Sequence, residues 1–361
     1  MTSSKLKETI EKASQGHRLD PDHALGLYEQ ADLLTLGRLA QNARFRHNPH
    51  MTVTYAVDRN INYTDICVSG CAFCAFYKEK DDPDAYVMDR ETLNLKCDET
   101  LDLGGTQILY QGGLNPELNL CWHEQQVAFI KSKGLHVHGY SPPEIVFMAR
   151  KEGIPIHDVI ERLKTAGLGS IPGGGAEILV DRVRQKISPN KASTSEWLEV
   201  MRNAHHLGLK TTATMMFGHV ETLEERILHL QAIRELQDET GGFTAFIPWP
   251  YQPGKNTLSG RAAGGTTYLR TLAISRIFLD NVPHVQASWV TQGHHIGQIA
   301  LHFGADDMGS TMIEENVVAS AGIKNAMTQM EIIRLIETAG FEAAQRNTLY
   351  QPVEKEEKAV P

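Results

Sequence analysis

The sequence predicts an α/β fold, a (β/α)8 TIM-type barrel that carries a helical extension at its N-terminus. Three observations support this. Short runs rich in β-branched residues alternate with amphipathic stretches along most of the chain. The alternation gives eight strand candidates separated by seven crossovers. The 361 residues, 41% of them hydrophobic, supply enough apolar surface for one large core. Regular βα alternation implies parallel pairing, since a parallel pair needs a crossover long enough to hold a helix. Eight repeats suggest closure into a barrel, with a doubly wound open sheet as the main rival.

The elements follow in order. Residues 1–50 form the helical extension: Leu25, Leu33, Leu34, Leu36 and Leu39 recur near helical spacing, and Asp20-Pro21 reads as a helix start. The barrel spans 51–345. Its first strand is expected over 53–66, and the others over 106–111, 136–140, 169–172, 210–217, 243–248, 284–289 and 300–304. Helices are expected near 90–103, 120–133, 155–166, 194–207, 222–239, 266–280 and 324–339. Pro142-Pro143-Glu144 reads as a further helix start with an acidic first turn. A Gly- and Met-containing loop over 305–318 is expected after the last strand. Residues 346–361, ending in VEKEEKAVP, read as an acidic, disordered tail.

Composition excludes several functions. The net charge of −9 and a pI near 6.0 oppose phosphate-backbone binding, so no nucleic-acid partner is expected. No apolar run approaches the roughly 20 residues of a membrane span. The opening MTSSKLKETIEKAS lacks the apolar core of a signal peptide. Five cysteines, three of them clustered, point to a reducing, cytoplasmic setting rather than a disulfide framework.

The clustered three are Cys67, Cys71 and Cys74, spaced C-x3-C-x2-C. Three thiolates within eight residues can hold three corners of a cubane [4Fe–4S] cluster and leave the fourth iron open. Zinc with a distant histidine is the alternative. Cys97 and Cys121 lie too far along the chain to complete a local set. The triplet directly follows the first strand, and barrels of this class carry their chemistry at the C-terminal ends of the strands. Motif and fold therefore point to the same place.

CVSGCAFCAFY, from Cys67 to Tyr77, resembles the radical S-adenosylmethionine (radical SAM) superfamily. The resemblance implies that the open iron binds S-adenosylmethionine and that Phe73 packs near its adenine. Gln111-Gly112-Gly113 matches the place of a GGE-like turn whose backbone receives the methionine amino group. Here Gln precedes the glycines and no Glu follows them, which leaves only the backbone role intact.

DRNINYTDICVSGCAFCAFY, HGYSPPEI, IPGGGAEIL, TATMMFGHVET and LQDETGGFTAFIPW are similar to the superfamily's futalosine-pathway members in menaquinone (vitamin K2) biosynthesis. Tyr77, FIPWPYQPG and HFGADDMGSTMIEENVV look more like those that cyclise dehypoxanthine futalosine than those that make aminofutalosine. The resemblance covers about 20–345. It implies an oxidoreductase that abstracts the ribose C4′ hydrogen, closes the carbon radical onto the benzoate ring, and restores aromaticity by losing a proton and an electron. It also implies a one-electron donor such as a flavodoxin or ferredoxin. Aminofutalosine synthesis, by radical addition to an enol ether, is the close alternative, and an iron–sulfur electron-transfer protein is a remote one.

Such a substrate carries a carboxylate and several hydroxyls. Candidate partners are His138, Tyr140, Ser141, Glu177, Thr212, Thr214, His219 and Glu221 near strand ends. For the carboxylate, Arg59 or the amides of Gly173-Gly174-Gly175 are the candidates. Each polar candidate has a structural alternative. His219 and Glu221 can cap the following helix, His138 can be a satisfied core histidine, and Glu314-Glu315 can be a solvated pair.

Overall fold

The computed structural model describes residues 2–322 and 325–353. Three helices come first: α1 (Ser3–Gln15), α2 (Pro21–Gln30) and α3 (Leu33–His47). Asp20 caps α2, accepting from the His23 N–H, with Pro21 at the first helical position. The expected helical extension is present in three pieces.

The barrel strands and helices then alternate. β1 (Thr52–Ala56) and β2 (Asp58–Asn62) are two halves of one bent strand. There follow α4 (Arg90–Asp102), β3 (Gln107–Gln111), α5 (Leu120–Ser132), β4 (His136–Gly139), α6 (Pro142–Glu152) and α7 (Ile156–Ala166). Next come β5 (Leu168–Ile171), α8 (Asp181–Ile187), α9 (Thr194–His206), β6 (Lys210–Phe217), α10 (Leu223–Thr240) and β7 (Phe243–Pro250). The chain continues with α11 (Gly265–Phe278), β8 (His284–Val285), α12 (Trp289–Gln292), α13 (His294–Ala300) and β9 (Asp307–Ser310). It closes with α14 (Val317–Ser320), α15 (Gln329–Thr338) and β10 (Glu342–Gln345).

β2 to β8 form a seven-stranded parallel sheet in chain order. The other half of the bent strand, β1, pairs in parallel with both β9 and β10. A bridge between Gln286 and Asp307 links β8 to β9. The strands thus run around a ring, with β1/β2 as the hinge between the two sheets. This is the expected mixed α/β barrel, with the long sheet as its curled half. Helices cover the outside; Trp197, Val200 and Met201 of α9 are fully buried beneath it. Capping boxes start the long crossovers, Ser193 with Glu196 before α9 and Thr222 with Glu225 before α10.

The extension packs on the barrel's outer wall. Arg18 pairs with Asp238 at 2.6 Å and with Asp280 at 2.7 Å. The Arg226 Nη1 donates to Tyr28 Oη at 2.6 Å. No helix among the described residues is long and apolar enough to cross a membrane.

Two expectations fail and one element is new. The eighth strand is not 300–304, which falls in the end of α13 and the turn after it. It is Asp307–Ser310, inside the expected loop. Asp and Gly have poor strand propensity, but Asp307 gains a buried arginine partner that only the fold supplies. β10 was not foreseen. Residues 346–353 do not behave as a tail: the Arg346 N–H donates to the Tyr55 carbonyl at 2.8 Å, and its side chain is buried. The remainder of the expected tail, 354–361, and the start of the helix expected from 324 lie outside the described residues.

Candidate active site at the barrel mouth

Because strand side chains alternate between faces, every second residue points into the barrel. Asp58 and Asn60 of β2, Gln107, Leu109 and Gln111 of β3, and Thr212 and Thr214 of β6 line one central cavity of about 320 Å3. His138, Trp249, Trp289 and Glu315 complete much of its wall, with Arg346 and Tyr350 contributed by the end of the chain. Arg346 is the only arginine or lysine among the described residues lining it. Its Nε and Nη2 donate to the two Asp307 oxygens at 2.5 and 2.8 Å. This bidentate pair is held in the protein interior, where geometry decides whether it can persist.

The cysteine loop leaves β2 and crosses the end of the strands. Cys71 is buried, while Cys67 and Cys74 are half-buried; all three are free thiols. Ser69 Oγ lies 3.2 Å from Cys67 Sγ and 3.2 Å from Cys71 Sγ, so these thiols converge on one point. Burial pushes the Cys71 thiol up, opposed by the nearby Lys191. The loop is strapped on two sides. The Ala72 N–H donates to the Ile187 carbonyl at 2.8 Å, and the Leu258 N–H donates to the Ala72 carbonyl at 2.9 Å.

Lys191 was not among the sequence candidates. Its ammonium sits 3.0 Å from Glu177 Oε1 and 5.2 Å from the Phe73 ring centroid, a cation–π distance. Phe73, Glu177, Lys191 and Cys71 therefore form one group, with Glu177 and Cys71 buried and Phe73 and Lys191 half-buried. Burial disfavours the Lys191 charge, but Cys71 and Glu177 outweigh it and hold the ammonium protonated. Glu177 takes the left-handed backbone conformation (φ 42°) and leaves Oε2 buried without a hydrogen-bond partner among the described residues. Strain and an orphaned acceptor together mark a ligand-facing position. The signal in the sequence was weak, a single lysine in a Pro-Asn-Lys turn.

The Gln111-Gly112-Gly113 turn lies against the same loop. A Cβ on Gly113 would sit 2.2 Å from the Ile66 carbonyl oxygen and 2.9 Å from Cys67 Cβ. Only glycine permits that approach. The Gly112 N–H donates to Glu144 Oε1 at 3.1 Å. Glu144 also accepts from Tyr63 Oη at 2.8 Å, and from the N–H and Oγ of Ser141 at 2.7 and 2.6 Å. Burial pushes the Glu144 carboxyl up, while these four donors pull the other way. Glu144 thus anchors the turn as well as starting α6.

The structure separates the other candidates. His138, Thr212 and Thr214 line the cavity. Thr212 Oγ1 accepts from the Gly173 N–H at 3.0 Å, and Thr214 Oγ1 donates to the Gly173 carbonyl at 2.7 Å, so both also fix the triple-glycine segment. Gly173 and Gly174 line the cavity as well.

Five of them are not in the cavity. Arg59 points outward, as the residue between Asp58 and Asn60 must, and pairs with Glu99 at 2.8 Å and Glu314 at 3.7 Å. Tyr140 takes φ 57° just past β4, which turns its ring into a cluster with Tyr63, Tyr110 and His123. Ser141 is consumed by Glu144. His219 spends both ring nitrogens on backbone, accepting from the Val220 N–H at 2.8 Å and donating to the Met216 carbonyl at 2.9 Å. Glu221, beside it, accepts from the Gly218 and His219 N–H groups and from Arg226 Nε at 2.8 Å. Burial pushes Glu221 up, but His219, Arg226 and the two N–H groups outweigh it and hold the carboxyl below its ordinary range. His219 and Glu221 therefore lock the β6–α10 loop rather than face a ligand. Glu314 is held by Lys96. Glu315 lines the cavity and accepts from the N–H groups of Val317, Val318 and Ala319.

A barrel with a three-thiol loop at its mouth is matched by the comparisons with known proteins. The radical SAM superfamily matches residues 61–233, and the CofH/MqnC C-terminal region matches residues 240–359. A cyclic dehypoxanthine futalosine synthase of Streptomyces coelicolor is 46% identical over 96% of this chain and 88% of its own. The chain belongs to the radical SAM superfamily. Two further relatives carry other names. One, a 5-amino-6-(D-ribitylamino)uracil–L-tyrosine 4-hydroxyphenyl transferase of Archaeoglobus fulgidus, is 42% identical over 83% of this chain and 88% of its own. The other, an aminodeoxyfutalosine synthase of Thermus thermophilus, is 38% identical over 97% and 96%. Among solved structures, the FeFe-hydrogenase maturase HydG of Carboxydothermus hydrogenoformans superposes with TM-score 0.76 at 15% identity, covering 96% of this chain and 81% of that one. That likeness concerns the fold alone.

Radical SAM enzymes work with a [4Fe–4S] cluster and S-adenosylmethionine. The residues at the mouth fit both groups. Three free thiols from one loop are the donor set a cluster with one open iron requires. The orphaned Glu177 Oε2 suits a hydroxyl-bearing ligand beside them.

Proposed function

We propose that this radical SAM enzyme cyclises dehypoxanthine futalosine to cyclic dehypoxanthine futalosine in menaquinone biosynthesis. The near full-length identity to the Streptomyces synthase supports this reading most directly. Cys67, Cys71 and Cys74 hold the cluster. Phe73, the Gln111-Gly112-Gly113 turn and Glu177 hold S-adenosylmethionine, with Lys191 fixing Glu177 and Phe73 from behind. Bound there, the two cofactors supply a carbon-centred radical that abstracts hydrogen.

The remaining work belongs to the chain. The cavity below the mouth must hold the ribose within about 3–3.5 Å of the abstracting carbon and the benzoate over C4′. Its walls suit a flat, hydroxylated guest. Trp249 and Trp289 offer apolar faces, while Thr212, Thr214 and His138 offer hydroxyl partners. Asn60 Oδ1 and Trp289 Nε1 are buried without hydrogen-bond partners among the described residues and are available to the substrate. Arg346 is the cation for the carboxylate, and it replaces Arg59 in that role. Its charge is already matched by Asp307, so it offers directed hydrogen bonds more than net attraction. The loops at the mouth keep water from the radical. A small one-electron donor of the flavodoxin or ferredoxin class reduces the site, in the cytoplasm.

The test is an anaerobic assay of the reconstituted enzyme with dehypoxanthine futalosine, S-adenosylmethionine and a reductant. We expect the cyclised product together with free 5′-deoxyadenosine. A product that retains the deoxyadenosyl skeleton with an enol-ether substrate would assign aminofutalosine synthesis instead. Transfer of a 4-hydroxyphenyl group from tyrosine would assign the third activity.

A further inference from the structure

Rearomatisation of the cyclised ring requires a proton acceptor in the cavity, and three titratable side chains besides Arg346 and Tyr350 line it: Asp58, Glu315 and His138. The first two are engaged. Asp58 accepts from Ser310 Oγ on one oxygen and from Gln107 Nε2 at 2.8 Å on the other. Glu315 accepts from three consecutive backbone N–H groups. His138 is different. Its Nδ1 lies 2.6 Å from Ser170 Oγ, and its Nε2 has no hydrogen-bond partner among the described residues.

Ser170 Oγ has a second contact, 2.7 Å from His136 Nε2. The alternation of a strand explains the set. His136 and His138 are two apart on β4 and share its inward face, and Ser170 is the register partner of His138 on β5. A hydroxyl donates one hydrogen bond and accepts others, so Ser170 can accept from one imidazole while donating to its neighbour. The chain runs from the cavity at His138 to His136, a half-buried residue at the N-terminal end of β4.

We infer that His138 takes the ring proton in the rearomatisation step and passes it through Ser170 to His136; this rests on the cyclase reading above. The ring C–H bond breaks and its electron pair stays in the ring. The proton forms a bond to His138 Nε2. The proton on His138 Nδ1 moves to Ser170 Oγ, the Ser170 proton moves to His136 Nε2, and His136 releases its Nδ1 proton to solvent. The ring then holds one surplus electron, which an oxidised iron–sulfur centre held by Cys67, Cys71 and Cys74 would accept. One proton and one electron leave, and the aromatic sextet is restored.

Burial, with the positive potential of His136 and Arg346, pulls the His138 pKa down to about 3. The imidazole is therefore neutral near pH 7, with a lone pair free to accept. A site of such low basicity does not keep a proton, which suits a relay. His136 is lowered to about 4 by burial and by Lys131.

The test compares cyclised product with free 5′-deoxyadenosine in anaerobic turnover. In His138→Gln we expect cyclised product per deoxyadenosine formed to fall about 10²-fold, with an organic radical accumulating in the EPR spectrum. Ser170→Ala leaves His138 in the cavity and removes the bridge. We expect a product loss of about tenfold, and a proton inventory in mixed H2O/D2O that turns from curved to linear. A structural role for Ser170 would not straighten that plot.

A wild-type product-to-deoxyadenosine ratio in His138→Gln overturns the relay. If that variant does not load its cluster, an unchanged ratio and inventory in Ser170→Ala overturn it instead. A wild-type enzyme that makes no cyclised product overturns the functional reading, and the relay with it. A wild type that cyclises beside an equally competent His138→Gln removes the relay alone.

Discussion

The mouth and the floor of this barrel are built in opposite ways. The mouth takes its proposed metal ligands from one loop of eight residues, Cys67 to Cys74. The floor gathers Asp58, His138, Thr212, Trp289 and Arg346 from strands and turns spread over nearly 290 positions of the chain. Chemistry written locally survives without a fold; chemistry written across a sheet exists only when every strand is in register. The two regions should therefore fail differently.

The largest effect belongs to the mouth. Replacing Cys67, Cys71 or Cys74 by Ala should abolish cluster loading, read as iron and acid-labile sulfide, and turnover with it. The folded apo-protein should persist, because no buried charge is left unpaired. Cys97→Ala and Cys121→Ala should load normally. Cys97 lies in α4 and Cys121 on the exposed face of α5. Loss of the cluster in either would extend the ligand set beyond the loop and break the contrast.

The same contrast explains what the sequence made legible. The thiol triplet, the glycine turn and seven of the eight barrel strands were readable, because each rests on spacing within a short window. Arg346 was not. It follows an unremarkable Ala-Ala-Gln and precedes an acidic end, so its composition reads as a tail; its partner Asp307 lies 39 residues away. The eighth strand was hidden for the same reason, since Asp307 becomes a strand residue only with that arginine beside it. Arg59 failed on register, since one residue's shift along a strand exchanges the cavity for the helix layer. Tyr140 failed on a single positive φ, which no spacing rule announces.

The second effect belongs to the floor. Arg346→Met would leave Asp307 buried and without its cation, beside the buried Asp58. Breaking one half of such a pair costs about 3–5 kcal/mol. We expect denaturant unfolding to lose roughly that much, while the fraction that remains folded still loads its cluster. The mirror result, loss of the cluster with unchanged stability, would show that mouth and floor are not separable.

Acid should act on the wall before it acts on the mouth. Burial pulls His123, His138 and His229 down to about 3. In the unfolded chain these imidazoles titrate near 6.5, so the unfolded state takes up protons first. Their contribution is complete above about pH 7 and falls as the pH drops from there toward 3, by up to about 1.4 kcal/mol per pH unit for each. Glu221 behaves oppositely in origin. Its carboxyl is held below its ordinary 4.5, so its contribution is lost only as the pH falls below that value. Thermal midpoints between pH 7 and 5 should therefore fall steeply in wild type. The slope should be shallower in His229→Gln, which keeps an acceptor for the Leu179 N–H. An equal slope would place the acid sensitivity elsewhere.

The smallest effect is the sharpest test of register. Arg59 and Asn60 are adjacent on β2, yet one faces Glu99 on α4 and the other the cavity. Arg59→Met keeps the aliphatic stem that fills the layer between strand and helix. It loses an ion pair to Glu99, which is half-exposed, and a longer contact to Glu314, which keeps Lys96. Such a pair contributes at most about 1 kcal/mol. We expect kcat/KM within about twofold of wild type, or a change below about 0.5 kcal/mol in the barrier. Asn60→Ala removes the buried, unpartnered Oδ1 that the substrate can reach. It should cost about tenfold, as the loss of one hydrogen bond to a bound ligand does. If the two effects came out reversed, the strand would be one residue out of register, and every side chain assigned to the cavity floor on β2 would belong to the helix layer instead.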